Sequence, residues 1–264
     1  MNQMNCLLAE RPCVLGAFLS EVAAPNLLRV MKTGGLDFVI VDCEHGAFDF
    51  SQVAALAAVA NGIKLPLIVR IPSATREHIQ KYLDAGADGL LLPMTSTPEQ
   101  ARELVCHGKY MPLGKRGISI SRPHSEYNPG KLTDYLTKAN DRVMLYVQIE
   151  TAEGVKNASA IAAVEGIDGL LLGPNDLAAD YGHPGDFDTP QVQGALRSVI
   201  QAAASADKSC GIISSKMDFL EECRNLGMRI FSCNSEVGLL YSGVQGMVKD
   251  FIRVEESKQN HKKE

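Results

Sequence analysis

Eight short runs rich in Leu, Ile and Val recur along this 264-residue chain, and helix-like segments separate most of them. The runs are VLGAFLS (14–20), FVIVD (38–42), LIVRIP (67–72), GLLLPM (89–94), VMLYVQIE (143–150), GLLLGPND (169–176), CGIISS (210–215) and IFSCNS (230–235). They are nearly continuous in apolar residues instead of alternating, as strands covered on both faces are. Between them, AAPNLLRVMKTGG, FSQVAALAAVANG, ATREHIQKYLDAGA and PEQARELVCHG space their apolar residues as amphipathic helices do and end at or near Gly. Eight parallel strands close a barrel, so the pattern predicts one α/β domain over residues 1–264, a (β/α)8 barrel, with a last helix near Glu236–Glu255 and a frayed tail at about 256–264.

Composition agrees with that reading. At 45% hydrophobic residues a chain of this length can bury a large core as a single domain. A net charge of −5 argues against a nucleic-acid partner. The seven cysteines are odd in number, scattered and never spaced as CxxC, which favours reduced thiols in a cytoplasm. No basic segment followed by a long apolar run opens the sequence, and no later run approaches the length needed to span a bilayer, so neither secretion nor membrane insertion is expected.

In parallel barrels the chemistry gathers at the carboxyl ends of the strands. Those ends carry Asp42, Glu44 and His45 after the second run, Arg70 within the third, Gln148 and Glu150 in the fifth, and Asn175 and Asp176 in the sixth. Singly, each is as well explained by a polar turn. An always-charged guanidinium inside LPLIVRIP, however, must be paired or aimed at an anion. Glu150 and Asp176 end the two strands of one strand–helix–strand unit and should share one mouth, an arrangement suited to a hard divalent cation with oxygen ligands. Gly173-Pro174 leads into Asn175 and Asp176, which can open a short helix whose free N–H groups suit a carboxylate. His45 reads equally as a turn residue or as a base working near neutral pH. Lys216, the lysine close behind a strand, is simplest as a solvated helix start and not as a Schiff-base nucleophile. GxSxG and P-loop motifs are absent. One interval breaks the rhythm: residues 109–131, rich in Gly, Pro, Ser and basic side chains, read as a loop overhanging the mouth.

Taken in order, FVIVDCEHG, LIVRIP, LLLPM, RGISIS, VQIET, VEGIDGLLLGPNDLAADYG and CGII resemble the class II, metal-dependent pyruvate aldolases of the 4-hydroxy-2-oxoheptanedioate and 2-dehydro-3-deoxyglucarate aldolase type, from about Leu15 to Phe251. The resemblance implies a barrel of the phosphoenolpyruvate/pyruvate-binding superfamily, a last helix packed on a neighbouring subunit, a hexamer built as a trimer of dimers, and a bound Mg²⁺, Mn²⁺ or Co²⁺. It further implies that Glu150 and Asp176 ligate the metal, that Gln148 and the backbone at Gly173, Asn175 and Asp176 meet the 2-oxo acid, and that Arg70 stabilises charge on the keto oxygen. His45 would take and return protons, its basicity raised by Asp84 from the same or an adjacent subunit, with Asp42 at a family position nearby. The chain departs from the pattern at Cys233-Asn234-Ser235-Glu236 and at Asn175, positions where the resemblance implies that an acceptor or a second carboxylate could be selected. The reaction so implied is reversible aldol cleavage of a 4-hydroxy-2-oxo acid to pyruvate and an aldehyde. A condensing enzyme joining acetyl-CoA to oxaloacetate, with the basic loop around Lys115, Arg116 and Arg122 as its room for the larger partner, and a non-catalytic 2-oxo-acid-binding oligomer remain as alternatives.

Overall fold

The computed structural model describes residues 2–260. In chain order the elements are α1 (Gln3–Glu10), β1 (Val14–Leu19), α2 (Leu27–Thr33), β2 (Phe38–Asp42), α3 (Phe50–Ile63), β3 (Leu67–Arg70), α4 (Arg76–Asp84), β4 (Gly89–Leu92), α5 (Pro98–Gly108), a 3₁₀ turn (Pro123–Ser125), α6 (Leu132–Arg142), β5 (Met144–Ile149), α7 (Ala152–Ala162), β6 (Gly169–Leu172), α8 (Pro174–Asp180), α9 (Pro190–Ser205), β7 (Ser209–Ile213), α10 (Met217–Asn225), β8 (Ile230–Ser235) and α11 (Glu236–Asn260). The strands pair in parallel in sequence order, and β8 closes on β1. The expected barrel is therefore the observed one, each strand within a residue or two of its apolar run at the start.

Two apolar layers hold it. The larger lies between the strands and the outer helices, and the smaller fills the barrel itself with Phe38, Ile40, Ile68, Leu91, Met144, Tyr146, Leu171 and Ile230. Helix starts are fixed by side-chain caps: Asp49 and Thr97 each form a reciprocal capping box, with Gln52 and Gln100 as the third residues in. Thr75, Thr151 and Thr189 cap α4, α7 and α9.

Three features differ from the sequence reading. An N-terminal helix that the strand rhythm does not reveal, α1, drives Met4 and Leu8 into the interior layer and so plugs the amino end of the barrel. The last helix runs to Asn260, so residues 256–260 of the expected tail are helical, and positions 261–264 lie outside the described residues. The third concerns residues 109–131, which do not overhang the mouth of their own chain. Lys109 donates to the carbonyls of Asn140 and Val143 at the foot of β5, and Arg116 binds Asp84 where α4 ends. The segment lies along α4 on the outer wall because α5 has already carried the chain to the opposite end of the barrel. Among the described residues no helix is long and apolar enough to cross a membrane.

Candidate active site at the carboxyl ends of the strands

A cavity of about 390 Å³ opens at this end, and Asp42, His45, Arg70, Gln148, Gly173, Asn175 and Asp176 all line it. The register of β2 on β3 sets its first pair, since Asp42 lies directly beside Arg70. Arg70 Nε donates to Asp42 Oδ1 at 2.9 Å and Nη2 to Oδ2 at 2.6 Å, a fork-on-fork pair, while Glu44 Oε2 stands 3.4 Å from Nε. The Phe18 ring backs the guanidinium at 4.8 Å. Burial acts to raise the Asp42 pKa, but the Arg70 bonds and field, with the N–H groups of His45 and Glu44, outweigh it and leave the carboxyl below its usual range. Asp42 is thus a carboxylate that aims Arg70 and shapes the turn bearing His45. The imidazole itself is exposed, 3.7 Å from Glu44 through Nε2.

On the facing strands, β5 delivers Gln148 and Glu150, both almost fully buried. Glu150 Oε1 accepts from the Met94 N–H at 2.6 Å, and Oε2 accepts from Gln148 Nε2. Met94 sits in the left-handed region at φ 49°, a backbone cost that turns its N–H toward the mouth. Burial, then the nearby charge of Asp176, and more weakly Glu44, push the Glu150 carboxyl up to about 7. Gly173 must lack a side chain: a Cβ there would meet Glu150 Oε2 and would come within 2.7 Å of Gln148 Nε2. Asp176 follows in the first turn of α8, exposed to the cavity.

The residues fit a hard divalent cation. Their free donors are oxygens, two carboxylates repel one another across the mouth, and the buried Gln148 Oε1 has no hydrogen-bond partner. No group of three or more His, Cys, Asp or Glu side chains at ligand spacing occurs among the described residues. Glu150 and Asp176 would therefore hold such an ion with most of its shell left to water and substrate oxygens.

Asp84 stands apart from the group expected for it. It ends α4, at the opposite end of the helix from the mouth, where Arg116 Nη2 binds it at 2.7 Å and His124 Nε2 lies at 3.5 Å. It lines a separate groove of about 760 Å³ with Arg76, Gln80 and Arg122, so within one chain it does not touch His45. Lys216 also faces away, donating to the Gly185 carbonyl and resting over Phe187.

The structure adds Ser20, Ser214, Ser215 and Ser232, which the sequence reading passed over, to Asn234 and Ser235 of the divergent stretch. The β7, β8 and β1 side of the cavity is lined by Ser20, Ser214, Ser215, Ser232, Asn234 and Ser235. The strand-end rule applied to β2, β3, β5 and β6 would have found them in VLGAFLS, CGIISS and IFSCNS. Glu236, at the head of α11, is buried and accepts from the N–H groups of Ser20, Glu21 and Val22 at 2.6–3.0 Å, pinning the β1–α2 loop to the rim. The unusual CNSE stretch thus spends its carboxylate on backbone and offers none to a substrate.

A closed (β/α)8 barrel with a guanidinium, carboxylates and a histidine at its strand ends defines a barrel enzyme built to handle anionic substrates. Residues 15–242 match the HpcH/HpaI aldolase/citrate lyase family, and the chain belongs to that family. It is 32% identical over 251 residues to a 5-keto-4-deoxy-D-glucarate aldolase of Escherichia coli, covering 95% of this chain and 96% of that one. Among solved structures it is similar to an HpcH/HpaI aldolase from Desulfitobacterium hafniense, with 31% identity, a TM-score of 0.89 and coverage of 95% and 96%. A citrate synthase named SbnG is more distant, at 25% identity, a TM-score of 0.84 and coverage of 96% and 98%. The expectation of an aldolase-type carbon–carbon lyase holds.

Proposed function

We propose that the protein reversibly cleaves a 4-hydroxy-2-oxo acid to pyruvate and an aldehyde in the cytoplasm, with Mg²⁺, Mn²⁺ or Co²⁺ held by Glu150 and Asp176. The observation that carries this reading is that Arg70 and Asp176 line one cavity while the buried Glu150 lies within electrostatic reach of both. When bound, the cation supplies Lewis acidity toward the 2-oxo and carboxylate oxygens. Arg70, held rigid by Asp42, places positive charge where the keto oxygen becomes negative. Gln148 and the first-turn N–H groups at Asn175 and Asp176 orient the carboxylate. His45 takes the proton of the 4-hydroxyl; the C3–C4 bond breaks, the aldehyde leaves, and its bonding pair stays on the three-carbon fragment, which regains a proton at C3 to become pyruvate.

Asp84 enters this scheme from a second copy. Its own His45 is out of reach, and α11 leaves Leu240, Tyr241, Met247 and Phe251 exposed along one stripe, as a helix that packs on a neighbour does. We assign the assembly as a hexamer, a trimer of dimers. The acetyl-CoA-condensing alternative is weaker, because the citrate synthase SbnG is more distant from this chain than the aldolases are. Pyruvate release from a panel of 4-hydroxy-2-oxo acids tests the reaction. Activity should vanish on dialysis against EDTA and return with Mg²⁺ or Mn²⁺; full activity in excess EDTA removes the metal from the scheme. Release of free thiol from acetyl-CoA with oxaloacetate, in place of pyruvate formation, selects the alternative.

A further inference from the structure

The segment of residues 109–131, which the strand rhythm leaves unexplained, builds a buried cluster around one oxygen of Asp84. Arg116 Nη2 donates to Asp84 Oδ1 at 2.7 Å. That bond is single, because Arg116 Nε has no partner among the described residues, unlike the fork that Arg70 makes with Asp42. The guanidinium is buried over the Tyr110 ring, 4.9 Å away. His124, also buried, brings Nε2 to 3.5 Å from the same Asp84 oxygen. Asp84 Oδ2 accepts no hydrogen bond among the described residues, and a quarter of the side chain is exposed, in the groove of about 760 Å³.

A carboxylate held by one bond can swing about it, and a rigid neighbour beside the bonded oxygen limits that swing. His124 is such a neighbour. Its Nε2 lies 2.9 Å from the Ser119 carbonyl, which only accepts, so that nitrogen carries the proton; Nδ1 meets the Tyr135 hydroxyl, and the His124 carbonyl accepts from Arg142. Burial first, then the charge of Arg116 and more weakly that of Arg142, hold the imidazole below its usual pKa against the pull of Ser119 and Asp84. Near neutral pH it is therefore uncharged. It steadies Asp84 without adding a second cation, which leaves Oδ2 as the oxygen turned outward to a partner.

We propose that His124 and Arg116 are positioning residues that act through Asp84 on the active site of a second copy, not on the mouth of their own chain. This assignment rests on the aldolase reading and the assembly above and deepens them. The test reads pyruvate release from whichever 4-hydroxy-2-oxo acid of the panel the wild type cleaves fastest. His124→Leu should lower kcat about tenfold or more with KM within about twofold, and His124→Gln, whose amide can donate to Ser119, should recover most of the loss. Two differently tagged chains are then co-expressed and purified through both tags. Joined with His45→Asn chains, His124→Leu should rise several-fold above the mean of the two variants alone, because its intact mouth then meets an intact Asp84 cluster. Joined with Asp84→Asn chains it should gain nothing, since neither chain offers such a cluster. Arg116→Lys, which keeps the charge and shortens the reach, should follow the same pattern and decides the matter if His124→Leu does not assemble. Recovery with Asp84→Asn, no recovery with His45→Asn, or an unchanged kcat overturns the assignment. His45→Asn joined with Asp84→Asn separates the two levels: recovery there while the His124 pattern fails sinks the positioning role alone, whereas no recovery sinks the shared site and the assignment with it.

Discussion

The two ends of the barrel differ in which buried polar groups are left without partners. At the amino end each buried ion has been given protein partners. Asp168 accepts from Asn2 Nδ2 and the Leu145 N–H, Asp88 from the Leu67 N–H, and Lys109 donates to two carbonyls, all beneath the plug made by Met4 and Leu8. At the carboxyl end Glu150 is pushed up to about 7, and the buried oxygens of Gln148 and Ser232 are unpaired. Burial raises Asp88 and Asp168 as it raises Glu150, so the contrast lies in pairing: the amino-end carboxylates have protein donors, while the mouth leaves oxygens unpaired for a ligand.

Glu150→Gln should break that contrast most visibly. Pyruvate release is expected to fall about a thousandfold or more, since the cation loses a ligand. Stability should move the other way. A carboxyl raised from 4.5 to about 7 stabilises the fold fully below pH 4.5, and that contribution is lost as the pH rises through 7. In metal-free protein at pH 8 the Gln variant should therefore melt no lower than wild type, and a clearly lower melting temperature would refute the raised carboxyl at the mouth.

Met4→Ala probes the other end. Removing a fully buried side chain from the plug should cost about 2–4 kcal/mol in urea unfolding. Turnover per folded molecule should stay within about twofold of wild type; a large loss of kcat would mean that the floor and the mouth are not separable.

Glu236→Gln sits where the two roles meet. Losing the charge that accepts from three N–H groups should loosen the β1–α2 loop, with about 1–2 kcal/mol of stability lost and kcat/KM down about tenfold, mostly through KM. A fall confined to kcat would instead put Glu236 in the chemistry.

Asp88→Asn is expected to act on stability alone, and only as the pH rises. Burial raises Asp88 from 3.8 to about 6, so its stabilising contribution is complete below pH 4 and disappears as the pH climbs through 6. The variant should gain about 2–3 kcal/mol relative to wild type between pH 4 and pH 8. A pH-independent difference in urea titrations would show that Asp88 is ionised in the fold throughout.

Much of this architecture was readable because its signals are local. A strand buried on both faces has to be apolar over its whole length, and the chain says so eight times; the helices between declare themselves by period and cap. The acidic and basic residues of the mouth were legible for the same reason, each lying just past a run that already had to be a strand. What could not be read were relations between segments distant in sequence. Asp42 meets Arg70 because β2 and β3 pair in one particular register, and Glu236 meets Ser20 because β8 closes on β1. The loop of residues 109–131 was long enough to reach either end of the barrel, and its destination was decided by Lys109 and Arg116 finding partners at the feet of β5 and α4. The eight buried strands were thus determined by the chain alone, since apolar burial is written residue by residue. Which charges face one another was decided only on closure, because a Coulomb partner is chosen by distance in space, and distance is set by register.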